Sequence, residues 1–413
     1  MSSFNMKNLL PYFSTPTISL GFFSSLFASA FIYMHHFNVH LPWLQALFGI
    51  TALYFWLKLT SKEMFWSGFF TALFWFYWIA LSFRYYDLSW MIPFVTIGVA
   101  LIFGILFRLI SALPHIALRA VAIGLVEYLH PLGFDWFRPA LMFTNSILGD
   151  HIWQLWIILL SLTLFIVIKQ KIRYLTLLLI LISIKYQTPN TQHLTFNIQL
   201  VNTNIDQDKK WNPRYLNPII KLNMKAIQNA ISNKKRAVIL PESAFPLYLN
   251  HEIELMEKLL SLSKNITIVT GALYAENRKY YNSTYLFKDG KVRVMHKVVL
   301  VPFGEEVPLP KWMSRWINDI FFDGASDYAT AREVSDFKMV GKTFRNAICY
   351  EATSDKLFEG SPKYMVAISN NKWFTPSIEP TLQHLLLQMQ SNRHGTTIFH
   401  STNGAITTVI TPH

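Results

Sequence analysis

At 413 residues, with 52% apolar, 15% aromatic and only 15% charged side chains, the chain does not have the make-up of one soluble globule. Its formal charge of +13 comes without a clustered Lys/Arg stripe or a nucleic-acid motif, which argues against nucleic acid and for a membrane surface. One cysteine excludes an intramolecular disulfide and a Cys-based metal site. The 13 histidines show no ligand spacing, so no metal or other cofactor is expected.

The averages conceal a split. Residues 1–185 are densely apolar and poor in acids, whereas 187–413 have ordinary soluble composition. Crossing the hydrocarbon core takes about 20 apolar residues as a helix. Candidate spans are 16–35, 41–58, 64–83, 90–110, 114–130, 150–168 and 174–186, the fifth weakened by Arg119 and Glu127 and the seventh short. No cleavable signal peptide is expected, since the first apolar run leads into further spans. Lys7, Lys58, Lys62, Arg108, Lys169, Lys171 and Arg173 fall in one set of loops, while the alternate loops 36–40 and 84–89 hold only Arg84. By the positive-inside rule the N-terminus is cytoplasmic, and seven crossings deliver residue 187 onward to the outer face. Glu127 is a charged group in this apolar half, to be read either as functional or as part of an interfacial loop facing water.

A polar joint, Gln187–His193, separates a transmembrane bundle over 1–186 from a second domain over 187–413. There, strands are expected at Phe196–Val201, Ala237–Leu240, Ile266–Thr270, Phe344–Tyr350, Tyr364–Ser369 and Ala405–Ile410. Helices are expected at Tyr215–Asn233, Glu252–Ser263 and Thr381–Met389, and Asp289-Gly290 marks a hairpin within Tyr285–Val294. The alternation indicates an α/β layered domain.

Three stretches pair an apolar strand with a chemically useful group. Val238–Pro246 puts Glu242 just past a strand end, His296–Pro308 carries Lys297 and Glu305, and Phe344–Ala352 holds Cys349. On a strand running through Tyr350, Ala347, Cys349 and Glu351 would share one face. Taken singly, each residue has an ordinary structural reading: a helix-start glutamate, a solvated lysine, a buried small hydrophobe. In α/β sheets, reacting groups gather beyond the carboxyl ends of strands, so the three could meet.

Together, Pro241-Glu242-Ser243-Ala244-Phe245-Pro246, His296-Lys297 with Leu300–Pro308, and Ile348-Cys349-Tyr350-Glu351 resemble the nitrilase (carbon–nitrogen hydrolase) superfamily. Ser369–Phe374, Ser401–Gly404 and Asn204–Trp211 add to this, and Glu127–Trp136 resembles the membrane motif of the apolipoprotein N-acyltransferase family. The resemblance implies a polytopic α-helical membrane bundle plus a nitrilase-like α-β-β-α sandwich in a bacterial cytoplasmic (inner) membrane, with the sandwich on the periplasmic side. It implies Cys349 as nucleophile, Glu242 as base and Lys297 with the Tyr350 N–H as oxyanion donors. Glu305 and Glu351 would orient Lys297 and the thiol, and Trp211, Tyr350 and Trp373 would line the lipid path. The implied partners are a phospholipid acyl donor, a diacylglyceryl apolipoprotein acceptor and the bilayer. Leu309–Phe322, with Trp312 and Trp316 beside Lys311 and Arg315, reads as an interfacial helix or as one packed on the domain.

Asn371 departs from the family's usual Asp and Thr375 from its usual Gly. The chain also stops at His413, where the family ordinarily continues to a final membrane helix, so a short variant or a truncated gene is expected. The rival readings are a membrane-tethered amidase or nitrilase acting on a small amide, and a transporter or binding protein with a catalytically dead domain.

Overall fold

The computed structural model describes residues 12–130, 133–185, 196–302, 305 and 328–413. The chain divides into two compact units, Met1–Pro131 with Asp135–Gln187, and Leu132–Phe134 with Thr188–His413. The polar joint, Trp312 and Trp316 lie outside the described residues.

The first unit is helical: α1 (Thr15–His36), α2 (Pro42–Lys58), α3 (Ser61–Phe76), α4 (Ile92–Ser111), α5 (Ile116–Leu125), α6 (Ile152–Val167) and α7 (Arg173–Thr176). Proline in the first turn opens α1, α2 and α4, and a Thr60–Glu63 capping box opens α3. Among the described residues, three helical segments are long and apolar enough to cross a membrane: Thr15–His36, Ser61–Tyr86 and Ser89–Ser111. The remaining expected spans are shorter helices, and the fifth is helical only over Ile116–Leu125 before a 3-10 turn.

Small residues let these helices approach closely. A Cβ on Gly68 would stand 2.5 Å from the Phe103 carbonyl oxygen. Ser24 and Ser67 hydroxyls meet at 3.0 Å, and Trp56 Nε1 donates to Ser67 at 3.1 Å, so this polar cluster is satisfied internally. The two charges that weakened the fifth span also have partners. Arg119 donates to the carbonyls of Leu113 and Leu59 at 3.1 Å each, closing acceptors just past the ends of α4 and α2. Glu127 is buried and accepts the Ala140 N–H at 3.2 Å, so it does not face water.

The second unit is two sheets face to face, with helices outside. One sheet runs β1 (Ile198–Leu200), β2 (Ala237–Ile239), β4 (Thr267–Glu276), β5 (Lys279–Lys288), β6 (Lys291–His296), with β3 (Phe245–Tyr248) also on β4. The other runs β11 (Thr408–Ile410), β10 (Thr397–Asn403), β9 (Tyr364–Asn370), β8 (Lys342–Ile348), β7 (Asp336–Met339). The helices are α8 (Gln207–Lys210), α9 (Pro213–Ser232), α10 (Ile253–Leu262) and α11 (Glu379–His394).

Strand alternation builds the layers. Val238, Leu240, Ile268 and Tyr285 face Ile227, Ala230, Leu255 and Leu259 of α9 and α10, while Ala237, Ile239, Val269 and Leu286 point the other way. That second set packs on Phe344, Ile348, Val366, Ile368 and Phe399 of the opposite sheet. The outer face of that sheet, Ala347, Met365, Ala367 and Ile398, is covered by Leu387 of α11. The order is therefore α-β-β-α.

Most expected elements are present within a few residues, and three strands are additional: β3, β7 and β10. One expectation is corrected. β8 ends at Ile348, and Cys349 has φ +55 and opens a 3-10 turn to Thr353, so Cys349 and Glu351 do not share a strand face. A non-glycine residue in the left-handed region costs on the order of 1 kcal/mol, and the hydrogen bonds around it must hold it there.

Candidate active site

The first expected site residue is placed by a tight loop after β2. Pro241 accepts the N–H of Gly271 and of Ala244 at 3.2 Å each, and Ser243 has φ +45. Asn223 of α9 donates to the Ala244 carbonyl at 2.6 Å, and Lys210 of α8 donates to the Glu242 carbonyl at 2.9 Å. The loop lies so close to β4 that a Cβ on Gly271 would stand 2.5 Å from Ser243 N and 2.7 Å from Glu242 Cα. Both near atoms are backbone and cannot swing aside. Gly271→Ala is thus expected to push Glu242 out of place, cutting turnover about tenfold or more, since a 1 Å misplacement costs about 10²-fold. Steady-state rates on the folded variant check this; an unchanged kcat would mean the loop relaxes freely.

Glu242 and Glu305 share one donor. Asn282 Nδ2, from the middle of β5, bonds Glu242 Oε1 at 2.7 Å and Glu305 Oε1 at 3.0 Å. Lys297 Nζ donates to Glu305 Oε2 at 2.6 Å, and the Val301 N–H donates to the same oxygen at 2.9 Å. The Lys297 side chain is fully buried. Burial alone would lower its pKa, but the charges of Glu305 and Glu242, with Cys349 and Glu351 beyond, outweigh that and hold it above the ordinary lysine value. The ammonium therefore stays charged at the bottom of the site.

Cys349 is partly buried and within electrostatic reach of both Glu242 and Lys297. Burial and then the Glu242 charge push its thiol well up, and Lys297 opposes them. The resting sulfur is thus a thiol, which needs a base to become a nucleophile. The elements that meet here (the β2–β3 loop, the segment after β6 and the turn after β8) bring Glu242, Lys297 and Cys349 to one place.

Glu351 acts on backbone rather than on the thiol. Its Oε2 accepts the N–H groups of Val298 and Val299 at 2.7 and 3.0 Å, and Oε1 that of Ile348 at 2.9 Å. It thereby ties the residue before Cys349 to those after Lys297. Burial raises its pKa to about 7, with Lys297 and the three N–H groups working the other way. Tyr350 is buried, its hydroxyl donating to the Gly133 carbonyl at 2.9 Å. Trp373 is partly buried and Trp211 is 39% exposed.

Four residues absent from the expected set belong to the site: Asn282, Lys210, Glu379 and Gln383. Asn282 lies ahead of the hairpin expected within Tyr285–Val294, because the strand that carries it begins at Lys279. Lys210 is fully buried, which lowers its pKa to about 8 against the pull of Glu242 and Cys349. Glu379 and Gln383, on α11, sit near the sulfur with Asn371. Among the described residues no group of histidine, cysteine and acidic side chains is arranged to hold a metal ion.

A family model described as the apolipoprotein N-acyltransferase integral membrane domain matches residues 15–186. The apolipoprotein N-acyltransferase of Wolinella succinogenes is 43% identical over 97% of this chain and 97% of that protein. That of Campylobacter jejuni is 37% identical over 98% and 94%, and that of Helicobacter pylori 36% over 89% and 88%. A CN-hydrolase superfamily protein from Xanthomonas campestris aligns over 50% of this chain and 75% of its own, at 12% identity and a TM-score of 0.38.

Proposed function

The chain belongs to the apolipoprotein N-acyltransferase family, and from that premise we propose that Cys349 carries the fatty-acyl group that this membrane enzyme transfers. The donor is a membrane phospholipid, and the acceptor is the free α-amine of a diacylglyceryl-cysteine at the N-terminus of an apolipoprotein. The observation that carries this reading is the convergence on one sulfur of a carboxylate, Glu242, and a fully buried ammonium, Lys297.

The chemistry runs in two halves. Glu242 takes the Cys349 proton as the sulfur attacks the ester carbonyl, and Lys297 with the Tyr350 N–H stabilises the oxyanion. The tetrahedral adduct collapses to a thioester, and the lysophospholipid oxygen leaves with the proton from Glu242. The acceptor amine then attacks the thioester, its proton passes to Glu242 and on to the departing sulfur, and the amide is released. Glu305 and Asn282 hold Lys297 and Glu242 in register, and Glu351 fixes the nucleophile's backbone. Trp211 and Trp373, with Trp312 and Trp316, would contact the lipid chains. The 1–186 segment would be the transmembrane bundle of about seven spans and 187–413 the catalytic domain, on the periplasmic side of the cytoplasmic membrane as the loop charges suggest.

The test is an intact-mass spectrum of the purified protein after incubation with phospholipid and no acceptor. One fatty-acyl adduct is expected, released by neutral hydroxylamine, lost on adding a diacylglyceryl peptide that becomes N-acylated, and absent in Cys349→Ala. A folded enzyme that transfers the acyl group without ever forming the adduct would rule out the thioester route.

A further inference from the structure

Beyond the triad, α11 brings a second carboxyl group to the nucleophile. Glu379 is buried, and both of its oxygens accept from Asn371 Nδ2, at 3.2 and 2.9 Å. The same Nδ2 donates to Gln383 Oε1 at 2.9 Å, and Gln383 Nε2 in turn donates to Cys349 Sγ at 3.9 Å. Glu379 and Gln383 lie four residues apart on α11, one turn of helix, so both reach the same side-chain amide. Asn371, Glu379 and Gln383 are each about 1% exposed, so water does not compete for these bonds.

The chain of bonds has a polarity. Asn371 Nδ2 faces both Glu379 oxygens, and a carboxyl group accepts through at least one of them whether or not it is protonated, so Asn371 presents its NH₂ to Glu379; that same group then meets the Gln383 carbonyl oxygen, and this leaves the Gln383 N–H directed at sulfur. Reverse any member and the amide facing the sulfur presents a carbonyl oxygen, which repels a thiolate. An Asn at 371 is the residue that this arrangement requires. An Asp there would place a second acceptor against Glu379 and could not donate to Gln383.

We propose that Glu379 is a positioning residue for acyl transfer: through Asn371 it orients the Gln383 amide so that its N–H, and not its oxygen, stabilises the sulfur of Cys349. The inference rests on Cys349 being the nucleophile, but its consequences can be read on the sulfur without lipid. In electrostatic terms alone Glu379 is unfavourable, because its negative charge, when present, adds to that of Glu242 in raising the thiol pKa. Burial raises the Glu379 pKa to about 8, its bond from Asn371 opposing and Glu242 assisting, so near neutral pH it is largely uncharged and serves as an acceptor without that penalty.

The two roles therefore predict opposite signs. Because Cys349 is the only cysteine in the chain, the rate of its alkylation by iodoacetamide reports on the thiolate alone. If Glu379 positions Gln383, Glu379→Ala slows alkylation at pH 7.5 by about tenfold, the worth of one hydrogen bond to a charged group. Gln383→Leu, which leaves Glu379 and Asn371 intact, slows it to a similar degree, and so does Asn371→Asp. Glu379→Gln keeps an acceptor for Asn371 and recovers most of the lost rate. Thermal melting identifies variants that do not fold, and Gln383→Leu carries the test if Glu379→Ala is one of them. Faster or unchanged alkylation in folded Glu379→Ala, or an unchanged rate in Gln383→Leu, overturns the proposal. If the wild-type sulfur alkylates and responds as described but never takes up an acyl chain, the positioning stands and the acyl-carrier reading fails.

Discussion

Replacing Lys297 with Met is expected to lower acyl transfer by about 10²–10³-fold, the cost of removing one preorganised donor to an oxyanion. Stability should fall as well. The ammonium is fully buried and pairs Glu305 at 2.6 Å, with Glu242 and Glu351 within its field. Its loss leaves Glu305 without the ammonium it pairs with, and breaking a buried pair from one side costs about 3–5 kcal/mol. Lys210 does not replace it, because its Nζ is committed to the Glu242 carbonyl. Lys297→Arg should fare little better, since a planar guanidinium does not fit a fully enclosed ammonium site. The measurement is acyl-adduct formation per folded molecule, alongside a denaturation midpoint. Near wild-type adduct formation in Lys297→Met would remove Lys297 from the oxyanion role and leave it only a structural one.

Glu242→Gln should have a comparable effect on rate and very little on fold. The substituted amide keeps an oxygen where Asn282 Nδ2 now donates to Oε1 at 2.7 Å, so the loop's bonding survives. What disappears is the proposed proton acceptor, a role worth about 10²–10⁴-fold. The same substitution also removes a negative charge that, after burial, is the main influence raising the Cys349 pKa. The thiol pKa, followed by alkylation rate against pH, should therefore move down while acyl transfer collapses. A variant that loses acyl transfer with no downward move of that pKa would show that Glu242 does not act on the sulfur, and would favour a role confined to binding.

The variants also bear on both halves of the cycle. In the proposed cycle Lys297 and Glu242 serve both acylation and deacylation, so their loss should slow adduct formation and adduct consumption together. Glu351 is different: it bonds the N–H groups of Ile348, Val298 and Val299, and so reaches the chemistry only through the backbone of Cys349 and Lys297.

The sequence by itself determined the apolar N-terminal half, the layered second domain and the three candidate groups Glu242, Lys297 and Cys349. All of these are local signals: long apolar runs, buried strands stopped by proline, and short motifs whose spacing survives without tertiary information. It erred where the backbone departs from the regular period. Cys349 looked like a strand residue because the apolar run continues through it, but the strand ends one residue earlier and the chain turns at φ +55. β10 escaped detection because Thr397–Asn403 is mostly polar; it lies between β9 and β11, and its hydroxyl and amide groups are satisfied by other segments. Ser401 Oγ bonds the Val201 and Ile239 carbonyls, and Asn403 bonds Ile205. Only the tertiary structure brought in Asn282, Lys210, Glu379 and Gln383. Each acts on a partner from another segment of the chain, and what one buried polar group demands of another depends on distance in space, which no spacing along the chain encodes.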